Sequence, residues 1–348
     1  MDDDSDSVSD SDPRALRDKI ETEAGLSAQW LKDNRLCVAA DKSKLLVTGT
    51  QQLRGLKLPA EEEMRISVDQ KEIVESSSEK LLGLIINNQL TWKNYMYGNE
   101  ENPGLVSQLG KRIGMLKMLS KYMNKEKLKL FVNGLFYSKL SYCLPVFGNI
   151  FGVEKYKEKN RRYLSFTTKD NFTLQTLQNK VNRILIDAEP LTSTTDLLRL
   201  TGSLSIHQLV AYQTAVLTHK IVQAGKPCYI ADRMKPRQTN LGLRGGAGLL
   251  QLPQCKLSVS REGFIYRGAF LYNMLDENMR VETDLSKFKK KLKEWTRLNI
   301  SIKPKPYFSK VIEHQKKERS TSADLIPISR QTPTQPRLNT ITRYFAPI

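Results

Sequence analysis

The residues best suited by type to do chemistry stand together in Met1-Asp2-Asp3-Asp4, with adjacent carboxylates at Asp2 and Asp3. Adjacent carboxylates at a tight turn can hold Mg²⁺, a hard ion that takes oxygen ligands, and two such ions can clamp the attacking and leaving oxygens of a phosphoryl transfer. Six of the first twelve residues are Asp, so the plain alternative is a solvated acidic start. The second chemical signal is cationic. Lys111, Lys117 and Lys121 fall on one side of a helical period, and Lys155, Lys157, Lys159, Arg161 and Arg162 are interleaved with Tyr156 and Tyr163. Cations that track phosphates among rings that stack on bases are what single-stranded nucleic acid prefers. A solvated lysine face, and tyrosines that merely anchor a loop, are the competing explanations.

The elements that must position these residues change character near Asn102. Before it, helix and strand alternate. Asp12-Pro13 is a cap followed by Pro at the first turn, and Leu16, Ile20, Ala24 and Leu31 then make one face of a helix to about Asp33 that covers a sheet. Residues 45–48, 64–68 and 81–86 read as strands, the last closed by Asn87-Asn88. After Asn102, Leu105, Leu109, Ile113, Leu116, Leu119 and Met123 form a stripe with Arg112 as its exception, and the three lysines lie opposite. Residues 125–142 are apolar almost all round through Leu128, Phe131, Val132, Leu135 and Phe136, so a core helix is expected. Further stripes run through Leu174, Leu177, Val181, Ile184 and Leu185, and through Leu209, Tyr212, Val216 and Ile221. The expected fold class is α+β, mostly helical.

Three segments in order carry a resemblance: Met1-Asp2-Asp3, then Lys42-Ser43 within residues 38–47, then Leu82-Gly83 within residues 79–92. Together they resemble the reverse transcriptase of non-LTR (LINE-type) retrotransposons over about residues 1–300. The resemblance implies that Asp2 and Asp3 belong to the metal-binding turn, that Lys42 donates a proton to pyrophosphate, and that Leu82-Gly83 grips the primer end. It implies the end of a palm in residues 1–97, a helical thumb and connection in 98–235, and a C-terminal element in 236–313 that includes Phe264, Arg267, Tyr272, Asn273, Leu275, Arg280 and Phe288. The partners implied are an RNA template and a DNA primer, with phosphate contacts at Lys111, Lys117 and Lys121 and Mg²⁺ as cofactor of a complete enzyme; Lys155, Lys157, Arg161 and Arg162 are expected to bind nucleic acid on their own pattern of cations among rings. No aromatic residue precedes Met1, Ala39 stands where Asn is usual, and no upstream catalytic Asp is present. The expectation is therefore that this chain alone does not polymerise.

Composition sets the bounds. The chain has 348 residues and a formal charge of +18. Residues 1–102 hold 13 basic and 20 acidic side chains, whereas residues 103–183 hold 16 and 4, and so localised an excess points to a polyanion partner. Cys37, Cys143, Cys228 and Cys255 form no Cys-x-x-Cys pair and have only His207, His219 and His314 to help. That argues against zinc and for a reducing compartment, nucleus or cytoplasm. The start is acidic where a secretory signal is basic and then apolar. Asn133, Lys139, Pro145 and repeated Gly make residues 130–153 a buried helix and its exit loop rather than a membrane span.

Residues 314–348 have a disordered composition. Within them Ile341, Tyr344 and Phe345 resemble the core of a PIP box, which implies a sliding-clamp partner. Gly245-Gly246-Ala247-Gly248 lacks the Gly-Lys-Ser/Thr ending of a phosphate cradle. Two function classes follow: a truncated RNA-directed DNA polymerase that binds template-primer, or a non-catalytic nucleic-acid-binding relic with a clamp-binding tail.

Overall fold

The computed structural model describes residues 5–36, 38–39, 42–49, 63–68, 71–150, 167–237, 248–255 and 258–302. The described residues up to Tyr95 make one compact unit and those from Met96 make another. The architecture is α+β and mostly helical.

In the first unit, helix α1 (Pro13–Asp33) begins where Asp12 accepts from the Ala15 amide at 3.3 Å, with Pro13 in the first turn. Pro costs nothing there, because its missing N–H would have had no partner. Leu16, Ile20, Ala24 and Ala28 of α1 pack on Leu45, Val47, Met64, Ile66, Val68 and Ile73. Full burial of each large aliphatic in that layer contributes roughly 1.5–3 kcal/mol. The sheet beneath is strand β1 (Arg65–Val68), which alternates exposed and buried residues, paired antiparallel with β2 (Lys71–Val74) so that Ile66 faces Ile73.

Several strand expectations change here. Residues 45–48 form no named strand; Leu45 makes an isolated parallel bridge to Glu75. The apparent single strand at 81–86 is a hairpin of β3 (Ser78–Leu81) and β4 (Leu84–Asn87), turning at Leu82 and Gly83. Among the described residues the strands form two separate two-stranded sheets, not one half-sheet. The hairpin at residues 78–87 has a physical reason: Leu82 and Gly83 both take positive φ, which reverses the chain in two residues.

In the second unit, α2 (Leu105–Leu119) buries Leu105, Leu109, Ile113 and Leu116 and packs against α4 (Thr168–Ile186). Leu119 and Met123 are only half-buried. Between them α3 runs as α-helix over Lys125–Phe131, widens to a π-helical turn over Val132–Tyr137, and closes as Ser138–Ser141. It is not apolar all round. Leu128, Val132, Phe136 and Leu140 are buried, whereas Leu130 is 71% and Phe131 41% exposed. A buried residue every fourth position drifts around an ideal α-helix of 3.6 residues per turn. The wider π-turn offsets that drift and keeps the four on one side.

Next come α5 (Thr194–Thr201) and α6 (Ile206–Ala224), the latter buried on nearly every side. Ser205 and Gln208 close a capping box at its start, as Thr167 and Asp170 do for α4, each satisfying two otherwise orphaned amides. Helix α6 packs against α7 (Phe264–Met274), α8 (Leu285–Asn299) and the short helix Leu144–Phe147. Gly268 lets α6 and α7 approach: a Cβ there would lie 2.5 Å from Thr218 Oγ1.

Candidate nucleic-acid interface

Packing α2 through its apolar stripe turns the opposite side outward. Lys111, Lys117 and Lys121 are all exposed there. Between them Gly110 and Gly114 are exposed, and a Cβ at either would meet nothing within 4 Å. Met115, Met118 and Tyr122 complete this side at 54%, 68% and 85% exposure. On α3, Lys125, Lys127 and Lys129 are exposed beside Leu130, Phe131 and another open glycine, Gly134. Residues 103–150 contain eight basic side chains and one acidic one, Glu126. None of the six exposed lysines on α2, α3 and the turn between them forms an ion pair with a described residue.

The hairpin that carries this face is braced from below. Arg112 Nη1 donates to the Leu135 carbonyl at 2.6 Å and Ser138 Oγ donates to the Gly134 carbonyl, so side chains take up backbone acceptors at the π-turn. That explains how Arg112 interrupts the apolar stripe without a buried, unpaired charge. Deeper in, Gln178 Nε2 donates to the Tyr137 hydroxyl at 3.1 Å and to the Leu204 carbonyl at 2.7 Å, and the Tyr137 hydroxyl reaches Ser203 Oγ at 3.2 Å. Burial raises the Tyr137 pKa, so the hydroxyl stays neutral and the network ties α3 to α4 without a charge.

A second basic surface escaped the sequence reading. Helix α8 buries Phe288, Leu292 and Thr296 and exposes Lys287, Lys290, Lys291, Lys293 and Arg297. The signal was present: apolar residues at i, i+4 and near i+7 among lysines define an amphipathic basic helix. Asp284 caps it, accepting from the Ser286 and Lys287 amides at 2.8 and 3.3 Å, and Lys291 pairs with Glu282 at 2.7 Å. Phe288 stacks on the buried His219 ring at 3.7 Å between centroids.

Leu82 and Gly83 stand at a hairpin tip, where Leu82 is 49% exposed at φ 47°. A bulky residue at that φ is strained, and such strain gathers at functional sites. Lys42 is exposed in a turn whose amide donates to the Ala39 carbonyl at 2.8 Å.

Asp2 and Asp3, Lys155, Lys157, Arg161 and Arg162, and Ile341, Tyr344 and Phe345 lie outside the described residues. The described carboxylates of the acidic start do not make an open set for Mg²⁺. Asp6 accepts from Ser27 Oγ at 2.8 Å, Asp10 pairs with Lys19 at 2.5 Å, and Asp12 caps α1. The Asp12 amide and then Lys19 hold the Asp10 carboxyl at about 2. Among the described residues no three His, Cys, Asp or Glu gather to hold a metal.

Of the C-terminal residues singled out by resemblance, Arg267, Tyr272, Leu275, Arg280 and Phe288 are buried, and Phe264 and Asn273 are half-buried. The buried Tyr272 hydroxyl donates to the Arg280 carbonyl at 2.9 Å, and Asn273 exchanges two hydrogen bonds of 2.8 Å with the Leu250 backbone. Arg267, fully buried, donates to the Pro145 and Val146 carbonyls at 2.7 and 3.1 Å. Cys228 is exposed, and Cys143 and Cys255 are half-buried. No described helix is long and apolar enough to cross a membrane. Comparison with protein-family models, with curated proteins and with solved structures gives no match.

Proposed function

We propose that this protein binds nucleic acid through the outward side of the α2–α3 hairpin, as the template-primer-holding part of a protein related to reverse transcriptases. The observation that carries the reading is six exposed lysines on one helical hairpin that have no ion-pair partner among the described residues, set around open glycines and exposed Met115, Met118 and Tyr122. Lysines there supply sequence-independent contacts to phosphate. Glycines without a Cβ let a backbone come close, and Tyr122 offers a face for stacking. The reverse-transcriptase part of the reading draws support from the tip position of Leu82 and Gly83, where a primer-gripping hairpin would present them.

The test is charge reversal in the full chain. Lys111→Glu, Lys117→Glu and Lys121→Glu combined should weaken binding of an RNA–DNA template-primer duplex by at least about tenfold at moderate salt, measured by fluorescence anisotropy. Unchanged affinity with an unchanged melting temperature would move the binding surface off α2.

A further inference from the structure

Side chains from two distant helices converge beside the turn that joins α5 to α6. Arg297 of α8 donates through Nη2 to the Gly202 carbonyl, and Gln208 Nε2 near the start of α6 donates to the Ile300 carbonyl at 2.9 Å. One residue on, Ser203 accepts from the Tyr137 hydroxyl of α3 at 3.2 Å. The end of α8 and the body of α3 therefore meet the same short stretch of backbone. Lys293 lies one turn before Arg297 on α8, and Lys129 lies two turns before Tyr137 on α3.

All three cations are exposed and none forms an ion pair with a described residue. Glu126 and Glu294, the carboxylates within three or four residues of them on the same helices, pair with none of the three. Burial, then Arg297, then Lys129, lower the Lys293 pKa. Its ammonium thus feels positive charge from its own helix and from α3. Like charges held together in this way oppose folding, and they constitute a ready field for an anion. Arg297 has five N–H donors and the structure commits one to Gly202, so donors remain for a ligand.

We propose that Lys129, Lys293 and Arg297 form a phosphate-binding cluster that continues the α2–α3 face onto α8, so that one nucleic-acid backbone is held at both places. This deepens the nucleic-acid reading and rests on it for the identity of the ligand. The phosphate chemistry itself does not depend on that reading.

The experiment uses the full chain and the neutralising pair Lys129→Gln with Lys293→Gln. Binding to a duplex of about two helical turns is followed across a salt series, beside melting of the protein with and without inorganic pyrophosphate. The pair should weaken duplex binding about tenfold and make the log–log salt slope shallower by roughly two. The free variant should melt no lower than the parent, because a repulsion has been removed. Unchanged affinity and slope overturn the proposal, and so does a fall in melting temperature large enough to account for the lost binding. If the parent binds no duplex, the reading of the α2–α3 face fails on its own. The cluster then stands only if pyrophosphate raises the melting temperature of the parent and not of the variant, and it falls if neither responds.

Discussion

His207 shows what a single buried group does to this molecule. It stands at the second position of α6, 6% exposed, with one ring nitrogen on the Asn149 backbone and no hydrogen-bond partner for Nδ1 among the described residues. Burial depresses its pKa to about 4, although the Asn149 contact pulls the other way. The positive end of α6 adds to the cost of a charge there. The folded pKa lies below the unfolded value of 6.5, so the unfolded chain binds the extra proton. Stability is then complete above about 6.5 and is lost as pH falls toward 4, by about 3 kcal/mol. His219, whose pKa is also lowered by burial first, acts in the same direction. Urea titrations from pH 7 to pH 4 should give a steeper loss for the parent than for His207→Gln, and parallel curves would show that His207 does not carry the effect. Neither histidine could be placed from sequence, because nothing local distinguishes a buried ring from an exposed one. Leu82 was hidden for a related reason. Leucine is not a turn residue by propensity, so only the fold reveals its positive φ.

At the scale of elements, glycines separate a face that is packed from one that is open. Gly268 of α7 faces Thr218 of α6 with no room for a methyl group, whereas Gly110 and Gly114 of α2 face open space. Gly268→Ala should cost about 1–3 kcal/mol through overpacking at the α6–α7 crossing. Gly110→Ala with Gly114→Ala should instead stabilise the free protein by up to about 2 kcal/mol, because alanine is the better helix former at both positions. The same pair should weaken duplex binding if a backbone approaches that side of α2. Thermal melts and anisotropy on the same samples check both halves, and a destabilised free double variant would show that the α2 face is covered. Much at this scale was legible in the sequence: the start of α1 at Asp12-Pro13, the stripe of α2 and its outward lysines all follow from capping and periodicity. The single hydrophobic side of α3 was not legible, since a repeat of four needs a π-turn to stay aligned and apolar Leu130 and Phe131 mask it. The basic side of α8 is legible in the spacing of Phe288, Leu292 and Trp295 among lysines, although it lacks the interleaved rings that mark residues 155–163.

For the molecule as a whole, charge is divided unevenly along the chain, and the division makes a claim about where a polyanion goes. Residues 1–102 carry more acidic than basic side chains, while residues 103–183 hold a fourfold excess of basic ones. In the first unit several cations are already spent on local carboxylates: Arg17 on Glu21, Lys19 on Asp10, Arg65 on Glu72. In the second unit Lys111, Lys117, Lys121, Lys125, Lys127 and Lys129 pair with no carboxylate among the described residues. Exposed ion pairs of the first kind contribute little to stability and offer little to a ligand, whereas unpaired lysines release counterions when phosphate replaces them. If about five phosphates are engaged, the binding constant should fall with salt at a log–log slope of about −4.5. Neutralising Lys44 and Lys80 of the first unit should leave that slope where it is, because they lie among an excess of carboxylates. Neutralising Lys111 and Lys117 should make it shallower by roughly two. Equal changes from both pairs would mean that binding follows net charge rather than a face. A change from the first pair alone would place the polyanion on the first unit and leave the lysines of α2 as a solvated surface.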